Sequence, residues 1–205
     1  MDKNILVRIN NNRLPVFLKT IIKEIEKSFE EKNLVTLENM TRLSYLLHYF
    51  EFDEEAQMLS KEITKISFTK NRNYWNWIEA GIVLNMRYQR EIGNNDIVIF
   101  LKNKVLQKLE VGPELARKTN RKVFERTLQG EHLSTSKIDR ASREKDVDAE
   151  FSRRLVYLFK LYFIREMGTT EKFPIENLEQ KINSNKNNMK LIEDKVTFFN
   201  VVFNS

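Results

Sequence analysis

His48 and His132 are the only side chains in this 205-residue chain whose ordinary pKa lies near neutrality. Each follows an arginine by six positions: Arg42 in "RLSYLLH" and Arg126 in "RTLQGEH". A neutral imidazole can act as a general base, and a guanidinium can hold an anion or the charge that develops in a transition state. No other catalytic grouping accompanies them. The chain has no Cys, which removes disulfides, thiolate metal sites and a cysteine nucleophile. It carries no HExxH, no carboxylate-rich metal loop, no GxxxxGK[ST] and no GxGxxG, and no nucleophile elbow stands beside either histidine. The acids Glu30–Glu31 and Glu54–Glu55 are sequence neighbours, which point apart on a helix, so they read as solvated or capping groups. Neither a metal site nor a cofactor is expected.

The Arg-to-His spacing resembles that of the HEPN-type ribonucleases, all-helical enzymes that carry Arg, four to six residues, then His. The resemblance implies His as general base on a ribose 2′-hydroxyl and Arg on the phosphate charge, with Arg126 and His132 as the pair to test. The polar residue that usually follows Arg in that family is missing at Leu43, and Thr127 replaces it only in part. Each histidine also has an ordinary reading: His48 as a helix residue with a local hydrogen bond, His132 as an exposed loop residue.

A basic run, "ARKTNRKVFER", lies just upstream of His132. Arg117 with Arg121 and Lys118 with Lys122 stand four apart on one helix, where like charges repel slightly. A face kept despite repulsion suits an acidic partner or phosphate, so these four residues form the expected partner-binding face. A plain solvated helix face is the simpler reading. The formal net charge of +6 also invites nucleic acid. However, 21 Lys and 21 Asn against 5 Ala are the bias an AT-rich genome imposes, and a charge of this size serves solubility as well.

The elements that position these residues read as helices. Only 5 Gly and 3 Pro occur, too few for the many turns of an all-β fold. Phe17, Ile21, Ile25 and Phe29 recur every four residues after Pro15; Met40, Leu43, Leu47 and Phe50 form a second stripe; Ala56, Leu59, Ile63 and Ile66 form a third. Asp53 is the expected N-cap of that third helix, with Glu54 and Glu55 where the dipole favours acids. In "NRNYWNWIEAGIVLNMRYQREIGNN", Trp77, Gly81, Leu84 and Tyr88 make one stripe and Trp75, Ile78, Ile82 and Met86 another, leaving Glu79, Arg87 and Arg90 on the remaining arc. A helix apolar on two sides is sandwiched between others, so its aromatics read as core, and Gly93 reads as its left-handed C-cap. Val98, Leu101, Val105 and Leu109 mark its partner, and a polar surface helix follows over about 113–129.

Residues 130–148 carry few apolar side chains and read as a mobile connection between an N-terminal stack, 14–129, and C-terminal helices, 149–204. Phe151, Leu155, Leu158 and Tyr162 begin an apolar helix that Gly168 ends, and Pro174 opens another. Met189, Ile192, Val196, Phe199 and Phe203 have helical spacing, although "TFFNVVF" within 189–203 also suits a strand. No run of about 18 apolar residues and no secretory signal is evident, so no membrane partner is expected and the cytoplasm is the expected location.

"RLSYLLHYFEFDEEAQMLSKEI" resembles a tetratricopeptide-type helical hairpin, and with residues 73–110 as a second hairpin the resemblance spans about 36–110. It implies stacked antiparallel hairpins. The expectation is therefore an all-α protein of about nine or ten helices forming one domain over 1–205, TPR-like or an irregular bundle. Its expected role is non-catalytic: holding another protein, in the manner of bacterial immunity and antitoxin proteins, an analogy of fold alone. The alternative is a HEPN-like ribonuclease or a nucleic-acid-binding regulator.

Overall fold

The computed structural model describes residues 1–68, 75–128 and 158–168. Among them every regular element is helical: α1 (Asn4–Ile9), α2 (Val16–Lys27), α3 (Leu34–Tyr49), α4 (Asp53–Thr64), α5 (Trp75–Glu91), α6 (Asn95–Gln107), a 3₁₀ turn (Lys108–Glu110) and α7 (Glu114–Leu128). Residues 158–167 add a further helix. His132, the connection expected at 130–148, the helix expected after Pro174 and the helix-or-strand question at 189–203 lie outside the described residues.

The chain folds as two consecutive hairpins, α3–α4 and α5–α6, joined through packing of α4 on α5 and of α3 on α5. Short links force the reversals. Asn33 caps α3, its side-chain oxygen accepting from Val35 N at 2.7 Å. α5 ends as its sequence predicts. Gly93 is left-handed (φ 79°), Asn94 N donates to Gln89 O at 2.8 Å, and Gly93 N donates to Arg90 O at 3.0 Å, the paired bonds of a Schellman cap. The turn after α3 uses the same pair of bonds with Glu51 in the left-handed position (φ 67°). α1 was not foreseen: Ile5, Leu6 and Ile9 are buried, so the stack begins before residue 14.

One core joins these helices. It takes Leu18, Ile21, Ile22 and Ile25 from α2, most of α3, and Phe163 and Leu161 from the 158–167 helix. Each fully buried aliphatic side chain contributes about 1.5–3 kcal/mol relative to exposure. α5 runs through the middle against α3, α4 and α6. Its sandwiched position follows from the two apolar stripes, but only part of the polar arc faces water: Arg90 is exposed, whereas Glu79 is not. Glu79 is 1 % exposed and forms an ion pair with buried Lys108, while Asn85 and Gln89 are buried and hydrogen-bond each other at 3.3 Å. Packing on three sides takes Glu79, Asn85 and Gln89 out of water, so these polar residues must find partners inside. The two tryptophans also differ. Trp75 is buried against Phe68, whereas Trp77 is half-buried beneath Arg42.

Candidate functional site

Four helices converge on His48, the penultimate residue of α3. Its Nδ1 lies 2.6 Å from Asp53 Oδ1 and its Nε2 lies 2.6 Å from the Tyr162 hydroxyl. Tyr88 of α5 donates to the same Asp53 oxygen at 2.6 Å and stands 2.9 Å from His48 Nδ1. An ionised carboxylate only accepts, so the bonding pattern assigns the proton to Nδ1, which donates to Asp53. Nε2 then keeps its lone pair and accepts from the Tyr162 O–H.

The local geometry has a local cause. The tight turn through Glu51 brings the first residue of α4 back under the last turn of α3. Asp53 is therefore not the N-cap that its position suggested. Phe52 occupies that place without a side-chain cap bond, and the Asp53 carboxylate turns to His48 and Tyr88. Two charged neighbours complete the cluster. The Arg87 guanidinium lies 5.0 Å from the Tyr162 ring centroid and 5.3 Å from that of Tyr88, with Nη2 on Glu91 at 2.7 Å. Its Nη1 is buried without a hydrogen-bond partner.

The electrostatics follow from these positions. Burial lowers the His48 pKa; Asp53 opposes this and Arg87 adds to it, leaving the imidazole below its ordinary value. Burial alone would raise Asp53, but hydrogen bonds from Tyr88 and His48 outweigh it and hold the carboxyl below its usual range. Burial raises both Tyr88 and Tyr162. Both imidazole nitrogens are thus occupied by protein groups, and the cluster ties α3, α4, α5 and the 158–167 helix together. A general base needs a nitrogen within reach of the substrate proton, and here each nitrogen already has a partner at 2.6 Å.

The arginine six residues before His48 does not join it. Six residues turn a helix by about 240° beyond one full revolution. Arg42 is 5 % exposed, lies 5.2 Å from the Trp77 ring centroid and pairs with Glu38. Burial lowers its pKa despite that partner. Arg126 is exposed on α7, and its sequence partner His132 is outside the described residues.

The expected basic face lies on α7. Lys118 pairs with Glu114 at 2.8 Å and Arg121 pairs with Glu110, so two of the four cations are matched by acids. Among the described residues Arg117 and Lys122 form no ion pair. The like-charge spacing seen in sequence is therefore interleaved with Glu114 and Glu110 on the folded surface.

An apolar groove lies between the end of α6 and α7. Leu106, Leu109, Phe124 and Leu128 form its walls, with Glu110, Arg121 and Glu125 among the polar residues lining it, around a space of about 570 Å³. Ile99, Asn103 and Leu106 share one helical stripe that leads into it. Ile99 and Phe100 are 58 % and 67 % exposed. Val98, Leu101, Val105 and Leu109 form the helical stripe, and Ile97, Ile99 and Phe100 fall outside it. That surplus of apolar residues off the stripe was the available signal. The His48 cluster gave less, because its members are up to 114 positions apart. The one hint was that a tyrosine on a core stripe still needs a partner for its hydroxyl.

Among the described residues no group of three or more His, Asp or Glu is placed to hold a metal ion, and no helix is long and apolar enough to cross a membrane. A family model described as a family of unknown function (DUF6707) matches residues 2–191. No curated protein and no solved structure matches the chain significantly.

Proposed function

The chain belongs to that family of unknown function, and we propose that it is a non-catalytic protein whose work is to hold another protein along the outer side of α6 and the α6–α7 groove. The observation that carries this is Phe100, 67 % exposed beside Ile99 on a helix whose inward residues are already buried. Large apolar side chains grouped on a surface cost solubility, and interfaces use them as anchors in apolar pockets ringed by polar groups. The groove beside them has that composition. Sequestration of a partner, as by the small helical immunity and antitoxin proteins of bacteria, and a cytoplasmic setting are the finer parts of this reading. They rest on the cysteine-free, motif-free composition.

A ribonuclease reading built on Arg42 and His48 is weaker because His48 is engaged at both nitrogens and Arg42 packs elsewhere; one built on Arg126 and His132 stays the alternative. Nucleic-acid binding through α7 is weakened by the acids interleaved with Arg117, Lys118, Arg121 and Lys122.

The test uses affinity capture from the native cell with wild type and an Ile99→Asp, Phe100→Asp double variant. Both residues are exposed, so the melting temperature should stay within about 2 °C, as for most surface substitutions. A protein captured by wild type and lost with the variant supports the reading. In parallel, labelled single-stranded RNA is titrated against wild type and a Lys118→Glu, Arg121→Glu variant across salt concentrations. With about four phosphate contacts the logarithmic slope would be near −3. Submicromolar RNA binding at physiological salt that the charge variant loses would replace this proposal with the nucleic-acid one.

A further inference from the structure

We propose that His48 makes the docking of the 158–167 helix proton-linked: a neutral imidazole accepts the Tyr162 hydroxyl, and protonation removes that acceptor. The inference concerns a cluster separate from the α6–α7 surface and stands whatever that surface binds. The 158–167 helix is held by apolar packing and by polar ties that include Arg90–Glu166 and His48–Tyr162. Phe159 and Tyr162 meet Tyr45 of α3 at centroid distances of 6.3 and 6.5 Å, and Phe163 meets Phe124 of α7 at 5.4 Å. Of the polar ties, Glu166 takes two bonds from Arg90, at 2.9 and 2.8 Å, and Tyr162 donates one to His48 Nε2 at 2.6 Å.

The Arg90 tie to Glu166 involves no imidazole, the side chain whose ordinary pKa lies nearest mildly acidic solution. The His48 tie does. A proton on Nε2 turns an acceptor into a donor, and the Tyr162 hydroxyl hydrogen must swing away from its partner. The new charge also arises beside the Arg87 guanidinium, which lies against the Tyr162 ring. Other groups around the imidazole pull both ways. Asp53 from α4 and Glu91 from α5 favour the cation; Arg87 from α5 opposes it, and Tyr88 and Tyr162 supply hydroxyls. Arg165 lies near Tyr162 on the docked helix and adds a further positive charge to that side. Burial of the ring, 9 % exposed, tips this balance against the charged form. When the helix lifts away, His48 regains water and its ordinary basicity. By linkage, acid must therefore favour the lifted state.

The consequence is a graded shift in opening. Between the ordinary imidazole pKa and the lowered one, the opening equilibrium rises by up to about tenfold per pH unit. Phe124 lines the α6–α7 groove and rests on Phe163, so the groove wall is connected to the same event.

The experiment measures hydrogen exchange of the full chain near pH 7.5 and near pH 5.5, with rates corrected for intrinsic exchange, in wild type and His48→Gln. In wild type, protection over 158–167 should fall in acid by a few-fold to about tenfold more than protection over α3 and α4. In His48→Gln that difference should vanish. If His48→Gln does not fold, proton NMR of a His132→Gln variant decides, since His48 is then the sole imidazole. It should titrate below free imidazole, and Tyr162→Phe should move it upward. Acid-independent protection over 158–167 in wild type, or a His48 that titrates at or above free imidazole, would overturn the proposal.

Discussion

Gly81 of α5 faces Ile63 of α4 so closely that a Cβ at position 81 would lie 2.8 Å from Ile63 Cβ and collide with its Cγ2. Alanine is the better helix former by about 1 kcal/mol in an exposed helix. Here the clash should win. Gly81→Ala is expected to destabilise by about 1–3 kcal/mol, the range for overpacked cores, seen as a lowered denaturant midpoint. Adding Ile63→Ala should recover part of the loss, because the two sites touch and their effects cannot be additive. A single variant as stable as wild type would mean that α4 and α5 part without cost.

Glu51 is held at φ 67°, where a side chain is strained and glycine is not. Glu51→Gly should stabilise by about 0.5–1 kcal/mol, the left-handed strain less the entropy glycine adds to the unfolded chain. Glu51→Val should lose stability, since a branched Cβ tolerates that conformation poorly. Thermal melting of the three proteins tests the order Gly, Glu, Val.

The buried Glu79–Lys108 pair should respond asymmetrically. Lys108→Met leaves a carboxylate stranded in the core and is expected to cost about 3–5 kcal/mol. The double change Glu79→Leu, Lys108→Met removes both charges and should restore most of that stability. A double variant no better than the single would show that the pair does more than neutralise itself, for instance by holding Phe124, which Lys108 Nζ overlies at 5.8 Å.

Acid should weaken the fold first through His48 and then through carboxylates held below their ordinary range, Asp53 and Glu55 among them. The His48 pKa is lowered from 6.5, so its contribution is complete above that pH and declines as pH falls toward the folded value. Glu55 follows at lower pH. Burial alone would raise its pKa, but bonds from Asn11 at 2.5 Å and Arg13 at 2.8 Å hold it below its ordinary 4.5. Its stabilisation is present above 4.5 and lost as pH drops through the folded value. Melting temperature against pH should lose the upper step in His48→Gln. In Asn11→Ala the lower step should shift to higher pH. Curves of identical shape in all three proteins would contradict both assignments.

The two tryptophans should separate energetically. Trp75 is buried, and Trp75→Ala is expected to cost about 3–5 kcal/mol. Trp77 keeps part of its surface in water beneath Arg42, so Trp77→Ala should cost less, about 1–3 kcal/mol. A reversed order in chemical denaturation would place the main contact at Trp77.

The sequence by itself determined the helices from α2 to α7, though not α1, and the C-terminal end of α5. Apolar spacing every three or four residues and a glycine at 93 are local signals, and local backbone geometry obeys them. It also determined which helix would be central, because two apolar stripes on residues 75–91 demand neighbours on two sides. Partner choice among polar groups was decided only by the tertiary structure. His48 meets Asp53 across a turn, but it meets Tyr88 and Tyr162 across 40 and 114 positions. No periodicity encodes such a meeting, since it depends on which faces of α3, α5 and the 158–167 helix are brought into contact. The same holds for Glu79 and for α7. On a helical wheel Glu79 belongs to a polar arc and Arg121 to a basic one. In the folded chain Lys108 reaches the first, because a charge left without water needs an opposite charge beside it, and Glu110 meets the second on the exposed surface, where the fold brings the end of α6 beside α7.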